Sequence, residues 1–376
     1  MSDTLLHSPF GLGPHTLPNR LVVAPLTRVS ATPDGCATAE MAEYYRRYAQ
    51  GGWGLIVSEA TYVDDHAAQG YFRQPGIVTP AQIAAWQQVT DAVHGAGGRI
   101  VLQLSHAGAL GQGNPRGRAT VAPSAVRPAG EIARRYRGMG PYAIPTPLDE
   151  AGITAIIAAF GQAARNAMQA GFDGVEIHGA NGYLIHQFLT PDSNRRTDGW
   201  GGALENRLRF PLAVLQAVRQ EVPADRILGL RLSQSRANDA SAQWQDGAAE
   251  AEGIFSAMGR VPGLYLHISS HTGCAPVFDS GRSLAGLARH HSGHPVIANG
   301  RLESGDLAES LLASGEADLI SLGKAAIADP FWPAKTLRGE APQAFHPDMI
   351  SPVADLTSRM AWDWSQSGVP ANMPTA

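Results

Sequence analysis

Short apolar runs alternate with longer amphipathic stretches along almost the whole chain. The runs are rich in Val, Ile and Leu, which is typical of strands buried on both faces of a parallel sheet, and the stretches between them have helical periodicity. Strands are predicted at residues 20–25, 54–58, 99–104, 173–178, 227–232, 264–269, 295–299 and 318–322. Helices are predicted at residues 38–50, 80–96, 153–170, 204–221, 246–258, 283–290, 304–313 and 330–338.

Strands that are each followed by a helix predict a (β/α)8 barrel of the α/β class, with an open doubly wound sheet as the weaker alternative. We expect a single domain over residues 1–376, with a cap before the first strand, a core over about 9–340 and a tail over about 341–376. Thr79 and Pro80 form a helix start signal, and Gly171 forms a stop signal.

Two stretches interrupt the alternation of strands and helices. Residues 107–150, inserted after the third strand, are rich in Gly, Pro and Arg and too long for an ordinary connection. We therefore expect a binding loop or lid over the barrel mouth. Residues 234–245 are polar and are expected on the same face.

The charge of the chain argues against nucleic acid as a partner. The net charge is −4, and the sequence has no basic block that could release counterions from a nucleic acid. Arg134, Arg135 and Arg137 are the densest basic cluster, which we interpret as part of a solvated loop. The hydrophobic share of 44% is enough for a large core.

Targeting signals and cysteine usage narrow the class further. No run approaches the roughly 18 apolar residues of a membrane span, and the N-terminus lacks the pattern of a secretory signal, so we expect a cytoplasmic protein. Cys36 and Cys274 are the only cysteines, which excludes a disulfide framework and a four-thiolate iron–sulfur cluster within this chain. No metal site is predicted.

Polar residues stand at or just beyond the carboxyl ends of the predicted strands, where (β/α)8 enzymes carry their active sites. In chain order they are Thr27, Glu59, Gln103 with His106, His178, Arg231, Ser269 with Ser270, Asn299 and Lys324. Small residues near these ends would admit a flat ligand, and an amide can both donate and accept at the edge of its ring. Nearly every strand is therefore expected to contribute to one site.

The densest group of candidates is His178, Asn181 and Tyr183. Each has an ordinary structural explanation when taken alone, because a histidine at a strand end is commonly structural and a tyrosine beside Leu184 and Ile185 commonly packs. Together, two hydrogen-bond donors and a phenol in one loop can hold a carbonyl oxygen and deliver a proton beside it.

A phosphate site is expected after the last two strands. Gly300 and Gly323 follow them, and such barrels commonly bind a phosphate there through backbone N–H groups. The glycines alone are weak evidence, and the adjacent Arg301 and Lys324 strengthen the prediction.

In combination these motifs resemble the old yellow enzyme family of FMN-dependent oxidoreductases, from about residue 9 to about residue 337. The most specific match is HGANGYLIHQFLTPDSNRRTDGWGGALENRLRF at residues 178–210. Further matches are NRLVVAPLTR, GGWGLIVSEATYV, QLSHAG, LGLRLS, IANGR and LGKAAIADP, in that order along the chain. The resemblance implies a (β/α)8 barrel, FMN as the cofactor, and NADPH or NADH as the reductant.

The resemblance also implies roles for individual residues. His178 and Asn181 would hydrogen-bond the substrate oxygen, and Tyr183 would protonate the α-carbon. Thr27 would lie at the flavin O4 edge, and Arg231 would lie near N1 and the C2 carbonyl. The residues expected at the cofactor are Pro25, Leu26, Thr27, Ala60, Gln103, His178, Arg231, Asn299, Gly300, Arg301, Gly323 and Lys324.

The implied activity is that of an ene-reductase, which reduces α,β-unsaturated carbonyl, nitro or maleimide compounds by a ping-pong mechanism. The chain departs from the family at Lys324, where an arginine is usual, so that either FMN affinity is lower or Arg301 compensates. The resemblance assigns no firm role to His106. The sequence leaves open the natural substrate, its stereochemistry, the choice between NADH and NADPH, and whether the protein is a monomer or a homo-oligomer.

Three other functions are possible for such a barrel. A flavin-free lyase or aldolase that binds phosphate and uses Lys324 would be colourless, whereas a flavoenzyme would be yellow. A catalytically silent flavin-binding module is disfavoured because His178, Asn181 and Tyr183 are all present. The larger relatives with an iron–sulfur cluster and further nucleotide-binding domains are not expected, because the chain has two cysteines and little sequence after the barrel.

Overall fold

Eight parallel strands close into a barrel in the computed structural model, which describes residues 4–113 and 117–366. The barrel strands are β1 Leu21–Val23, β2 Leu55–Val57, β3 Ile100–Ser105, β4 Gly174–Asn181, β5 Ile227–Arg236, β6 Leu264–Ser269, β7 Val296–Asn299 and β8 Leu319–Leu322. Each strand pairs with the next one, and β8 pairs with β1. The predicted (β/α)8 barrel is confirmed, and the open sheet is wrong.

Helices surround the barrel in the predicted order. They are α1 Ala39–Gln50, α2 Pro80–Gly95, α3 Glu150–Gln169, α4 Arg209–Glu221, α5 Gly247–Gly259, α6 Leu284–Ser292, α7 Gly305–Ala313 and α8 Trp332–Leu337. Shorter helices lie at Leu184–Leu189, Leu204–Arg207 and Lys324–Ala328, and a C-terminal helix covers Leu356–Gln366. Among the described residues, no helix combines the length and apolar character of a membrane span.

Local sequence explains several helix boundaries. The Thr79 side chain accepts from the backbone N–H of Gln82, whose own side chain accepts from the Thr79 N–H, and Gly171 adopts a left-handed φ of +85° after α3. The predicted helix at 204–221 is divided at Leu208. Pro211, three residues later, has no N–H to continue the ladder of hydrogen bonds.

An N-terminal hairpin closes the lower end of the barrel. Phe10–Leu12 pairs antiparallel with His15–Leu17, and both Leu12 and Leu17 are buried. They pack against the lowest side chains of the barrel interior, which are Val22, Leu55, Val57, Val101, Ile227, Tyr265, Ile297 and Leu319. Because this end is filled with apolar side chains, the polar site has to lie at the opposite, carboxyl end.

Above this apolar floor, the barrel interior carries two polar levels. Side chains alternate along a strand, so residues two apart share a face. The middle level contains Gln103, Glu176, His267 and Ser321, which are all buried. The upper level contains His178, Arg231, Ser269 and Asn299 at the strand ends. The upper level forms the floor of the barrel mouth.

The long insertion after β3 packs over one side of the mouth. Within it, Val121–Ala122 pairs with Thr146–Pro147, and residues 114–116 lie outside the described part of the chain. Ile132, Tyr136 and Tyr142 pack in one cluster with Tyr183. The insertion therefore covers the tyrosine end of the expected site.

The region that we expected to be a tail is largely structured. The backbone N–H of Leu356 donates to Ser30 Oγ at 2.9 Å, which ties the C-terminal helix to the segment after β1. Arg359 is buried, and its guanidinium donates to the carbonyls of Ile327 and Ala328. Residues 367–376, the rest of the predicted tail, lie outside the described residues.

Candidate active site

Arg231 is the only fully charged side chain among the upper-level residues named above. Its Nη2 donates to Asn299 Oδ1 at 3.0 Å and to Ser269 Oγ at 3.3 Å. Its Nε is buried and has no hydrogen-bond partner among the described residues. Asn299 in turn donates to the Ser321 carbonyl at 2.9 Å, so the Asn299 side chain orients Arg231. A buried guanidinium with an unused donor suits the electron-rich edge of a ligand.

His178 is held as a neutral hydrogen-bond donor. Burial, with a further contribution from the charge of Arg231, lowers the pKa of His178 to about 3, so the imidazole is uncharged at neutral pH. Its Nδ1 faces the backbone N–H of Ala180 at 3.4 Å and acts as an acceptor there. We therefore assign the proton to Nε2, which can donate to a ligand.

Asn181 adopts a left-handed φ of +58° at the end of β4, which runs three residues beyond its predicted end at His178. Its backbone N–H donates to Ser233 Oγ at 2.8 Å, and its carbonyl accepts from Ala237 N. These backbone contacts pin the residue in place and leave the side-chain amide to serve a ligand. Asn tolerates the left-handed conformation better than most residues.

Tyr183 lies beside His178, with the two ring centroids 4.8 Å apart. Burial raises the pKa of Tyr183 well above its usual value of about 10, so its hydroxyl keeps the proton at neutral pH. The hydroxyl forms a hydrogen bond with the Tyr71 hydroxyl. Tyr71 also packs on Tyr136, with ring centroids 4.6 Å apart. Neither Tyr71 nor Tyr136 is among the residues predicted from the sequence.

A buried hydrogen-bond network lies directly under this level. Glu176 Oε1 accepts from Gln103 Nε2 at 2.7 Å, and Oε2 accepts from the Tyr265 hydroxyl at 2.8 Å. His267 Nδ1 lies 2.8 Å from Oε2, and its Nε2 lies 2.8 Å from Ser321 Oγ. The network holds the Gln103 amide, one of the predicted site residues, in a single orientation.

The segments that follow β1 and β2 form a mostly apolar wall of the barrel mouth. A side chain added at Gly323 would lie 3.3 Å from Leu26 Cδ2, which places the segment after β1 beside the end of β8. Ala60 is buried, and its carbonyl accepts from Gln74 at 2.7 Å. Pro25, Leu26 and Thr27 are half-buried. The small side chain of Ala60 leaves room for a flat ring at this wall.

Glycines with accessible backbone lie at the predicted phosphate site, after β7 and β8. Gly300 has a φ of +131°, and a Cβ there would meet the Ser270 carbonyl at 2.2 Å, so only glycine fits. Arg301 is exposed beside it. Gly323 precedes the short helix Lys324–Ala328, and Lys324 is exposed, with Nζ 5.4 Å from the centroid of the Phe345 ring. Two cations thus flank this edge of the mouth.

His106 connects three loops rather than entering the mouth. Its Nδ1 accepts from the Gly108 N–H at 3.0 Å, its carbonyl accepts from Leu184 N, and its Nε2 lies 3.4 Å from Asp64 Oδ2. The side chain is buried. These contacts give His106 a structural position between the segments after β2, β3 and β4.

The residues at the mouth fit FMN. Arg231 has a buried N–H group without a partner among the described residues, which could donate to the flavin ring. The small Ala60 leaves room for the ring, and Gly300 exposes its backbone at the edge where Arg301 and Lys324 lie. His178, Asn181 and Tyr183 form the polar group at the same end of the barrel. Together, this fold and this site indicate a flavin-dependent oxidoreductase.

Comparisons with known proteins agree with this class. Residues 5–342 match the NADH:flavin oxidoreductase / NADH oxidase family. The "Probable flavin mononucleotide-dependent alkene reductase" of Leishmania infantum is 36% identical over 345 residues, which cover 90% of this chain and 91% of that protein. The chain therefore belongs to this family, which includes old yellow enzyme, and is an FMN-dependent NAD(P)H oxidoreductase of the ene-reductase type.

Two solved structures have the same fold. The structure of morphinone reductase in complex with tetrahydroNAD superposes with a TM-score of 0.82 at 35% identity, and the match covers 92% of this chain and 93% of that chain. The old yellow enzyme homologue from Zymomonas mobilis gives a TM-score of 0.80 at 33% identity, and the match covers 93% and 96% of the two chains.

Proposed function

We propose that this protein reduces the carbon–carbon double bond of α,β-unsaturated carbonyl, nitro or maleimide compounds, with NADPH or NADH as the reductant. The observation that carries the proposal is the pairing of a neutral His178 with a protonated Tyr183 at the mouth that also holds Arg231. When bound, FMN supplies the hydride carrier between nicotinamide and alkene. The names of two relatives support the two substrates proposed here. One is an FMN-dependent alkene reductase, and the other is a morphinone reductase bound to tetrahydroNAD, a nicotinamide compound.

His178 and Asn181 hold the oxygen of the substrate. A neutral imidazole N–H and an amide N–H can both donate to a carbonyl or nitro oxygen, and their positions are fixed by Ala180, Ser233 and Ala237 before the substrate arrives. Such preorganised donors stabilise the negative charge that grows on the oxygen as hydride reaches the β-carbon. The β-carbon thereby becomes the electrophilic position.

Tyr183 delivers the proton to the α-carbon. Its hydroxyl is protonated at working pH and lies at the same end of the pocket as His178. The hydrogen bond with Tyr71 stabilises the phenolate that remains after proton transfer, because the Tyr71 hydroxyl can then donate to it. Tyr71 is thus a positioning residue for the proton donor.

Arg231 would hold the electron-rich edge of the FMN ring. Its guanidinium is fixed by Asn299 and Ser269, so it would stabilise negative charge on that edge without having to reorganise. Gly300, Arg301, Gly323 and Lys324 would hold the FMN phosphate.

A lyase or aldolase that uses Lys324 has less support. A lysine nucleophile is activated by desolvation or by a neighbouring cation, whereas Lys324 is exposed at the edge of the mouth. Its side chain lies against Phe345, outside the barrel interior. This position suits a phosphate contact better than covalent catalysis.

Anaerobic half-reactions test the proposed function directly. We expect the purified protein, saturated with FMN, to lose its flavin absorbance on addition of NADPH or NADH, and to regain it on addition of cyclohexenone, N-methylmaleimide or a nitroalkene. A saturated ketone is the control and should leave the reduced spectrum unchanged. Re-oxidation by oxygen alone, with every alkene inert, would contradict the proposal.

A further inference from the structure

Glu176 is a carboxylate in the centre of the barrel, one level below the mouth. Its side chain is fully buried, and it accepts from Gln103, Tyr265 and His267 at 2.7 to 2.8 Å. Three side chains donate to this one carboxylate, although the proposed reaction assigns no role to it. The sequence pattern places Glu176 on the same face of β4 as His178, two residues along.

The groups around Glu176 keep its carboxylate ionised. Burial lowers the pKa of His267, so this imidazole is neutral, donates from Nδ1 to Glu176 and accepts at Nε2 from Ser321. Burial alone would raise the pKa of Glu176, but the hydrogen bonds from His267 and Gln103 and the positive charge of Arg231 hold it below its usual range. Glu176 is therefore ionised, and Arg231, on the adjacent strand, is a nearby guanidinium whose positive charge favours this ionised form.

We propose that Glu176 is a positioning residue that sets how strongly the barrel mouth favours reduced over oxidised FMN. It acts in two ways: it offsets part of the Arg231 charge, and it fixes the Gln103 amide by taking its N–H, so that the amide oxygen is the group left for the ring edge. This inference rests on the proposed placement of the flavin ring against Arg231.

Glu176→Gln tests the inference, because it keeps the shape of the side chain and removes the charge. With the negative charge gone, Arg231 acts unopposed, and we expect reduced FMN to gain at least tenfold in affinity relative to oxidised FMN. For a two-electron couple this is a rise in midpoint potential of about 30 mV. The potential is measured by equilibration with a reference dye, and an unchanged potential in the FMN-loaded variant would overturn the proposal.

Tyr265→Phe is the matched control. It removes one of the three donors to Glu176 but keeps the carboxylate charge, so its potential should stay close to that of the parent protein. If Glu176 had only a structural role, both variants would lower the melting temperature and neither would move the potential. That outcome would refute the assignment.

Two further points keep the test decisive. If Glu176→Gln does not fold, Glu176→Met is measured instead. It also removes the charge and has a side chain of similar length, so we expect a rise of the same sign, whereas no rise would overturn the inference. The dye measurement uses neither an alkene nor nicotinamide, so an absence of alkene reduction would count against the proposed function alone.

Discussion

Replacing Tyr183 by phenylalanine is expected to slow re-oxidation of the reduced enzyme by an enone by roughly a hundredfold or more, since general-acid catalysis contributes about that much. Reduction of the bound FMN by nicotinamide needs no proton from this residue and should keep its rate. Anaerobic stopped-flow measurement of the two half-reactions separates the effects. The buried ring stays in place beside His178, so the change removes only the hydroxyl.

Tyr71→Phe is the control for this experiment. It removes the partner hydroxyl but leaves the proposed donor, so we expect a loss in the same half-reaction that is clearly smaller than the loss in Tyr183→Phe. Equal losses in both half-reactions of Tyr183→Phe would remove the proton-donor role. A larger loss in Tyr71→Phe than in Tyr183→Phe would transfer that role to Tyr71.

Arg231→Ala is expected to have the second large effect, on the cofactor itself. Loss of the guanidinium removes the positive charge at the proposed N1 edge, so the midpoint potential should fall or FMN should dissociate. It also removes a positive charge that favours the ionised form of the buried Glu176, so the free energy of unfolding should fall. FMN content after gel filtration, dye-coupled potential and thermal unfolding measure the three consequences.

Asn299→Ala is a milder variant with which Arg231→Ala can be compared. It keeps the guanidinium and removes the acceptor that orients it at 3.0 Å. We expect a fall in potential of the same sign as in Arg231→Ala but smaller, because the charge is retained. A normal potential with full FMN occupancy in Arg231→Ala would contradict the placement of this residue.

The barrel could be predicted from sequence because its strands are buried on both faces. Each reads as a short apolar run, and all eight predicted runs coincide with observed strands to within a few residues. The candidate site residues at the strand ends could be located for the same reason, since a polar residue that closes an apolar run, such as His178 or Asn299, stands out from the pattern. Glu176 could also have been found, because period-two alternation places it under His178.

The tyrosines beside Tyr183 could not be predicted in this way. Tyr71 and Tyr136 lie in the connections after β2 and β3, which have no long helix or strand around these tyrosines, so no periodicity fixes which side chain faces the mouth. Their contact with Tyr183 depends on the tertiary path of two loops. The C-terminal helix was missed for a related reason, since Arg359 is buried by contacts with Ile327 and Ala328 that are distant in sequence.

His178 and Asn181 are proposed to be fixed hydrogen-bond donors to an oxygen of a ligand that lies over the bound flavin. Titration of the FMN-loaded protein with a phenol such as 4-hydroxybenzaldehyde, followed by its flavin absorbance change, tests this most directly. We expect tight binding to the parent protein and binding roughly tenfold to a hundredfold weaker in His178→Ala, which corresponds to the loss of one hydrogen bond to a charged group. Equal affinity in the two proteins would contradict the account.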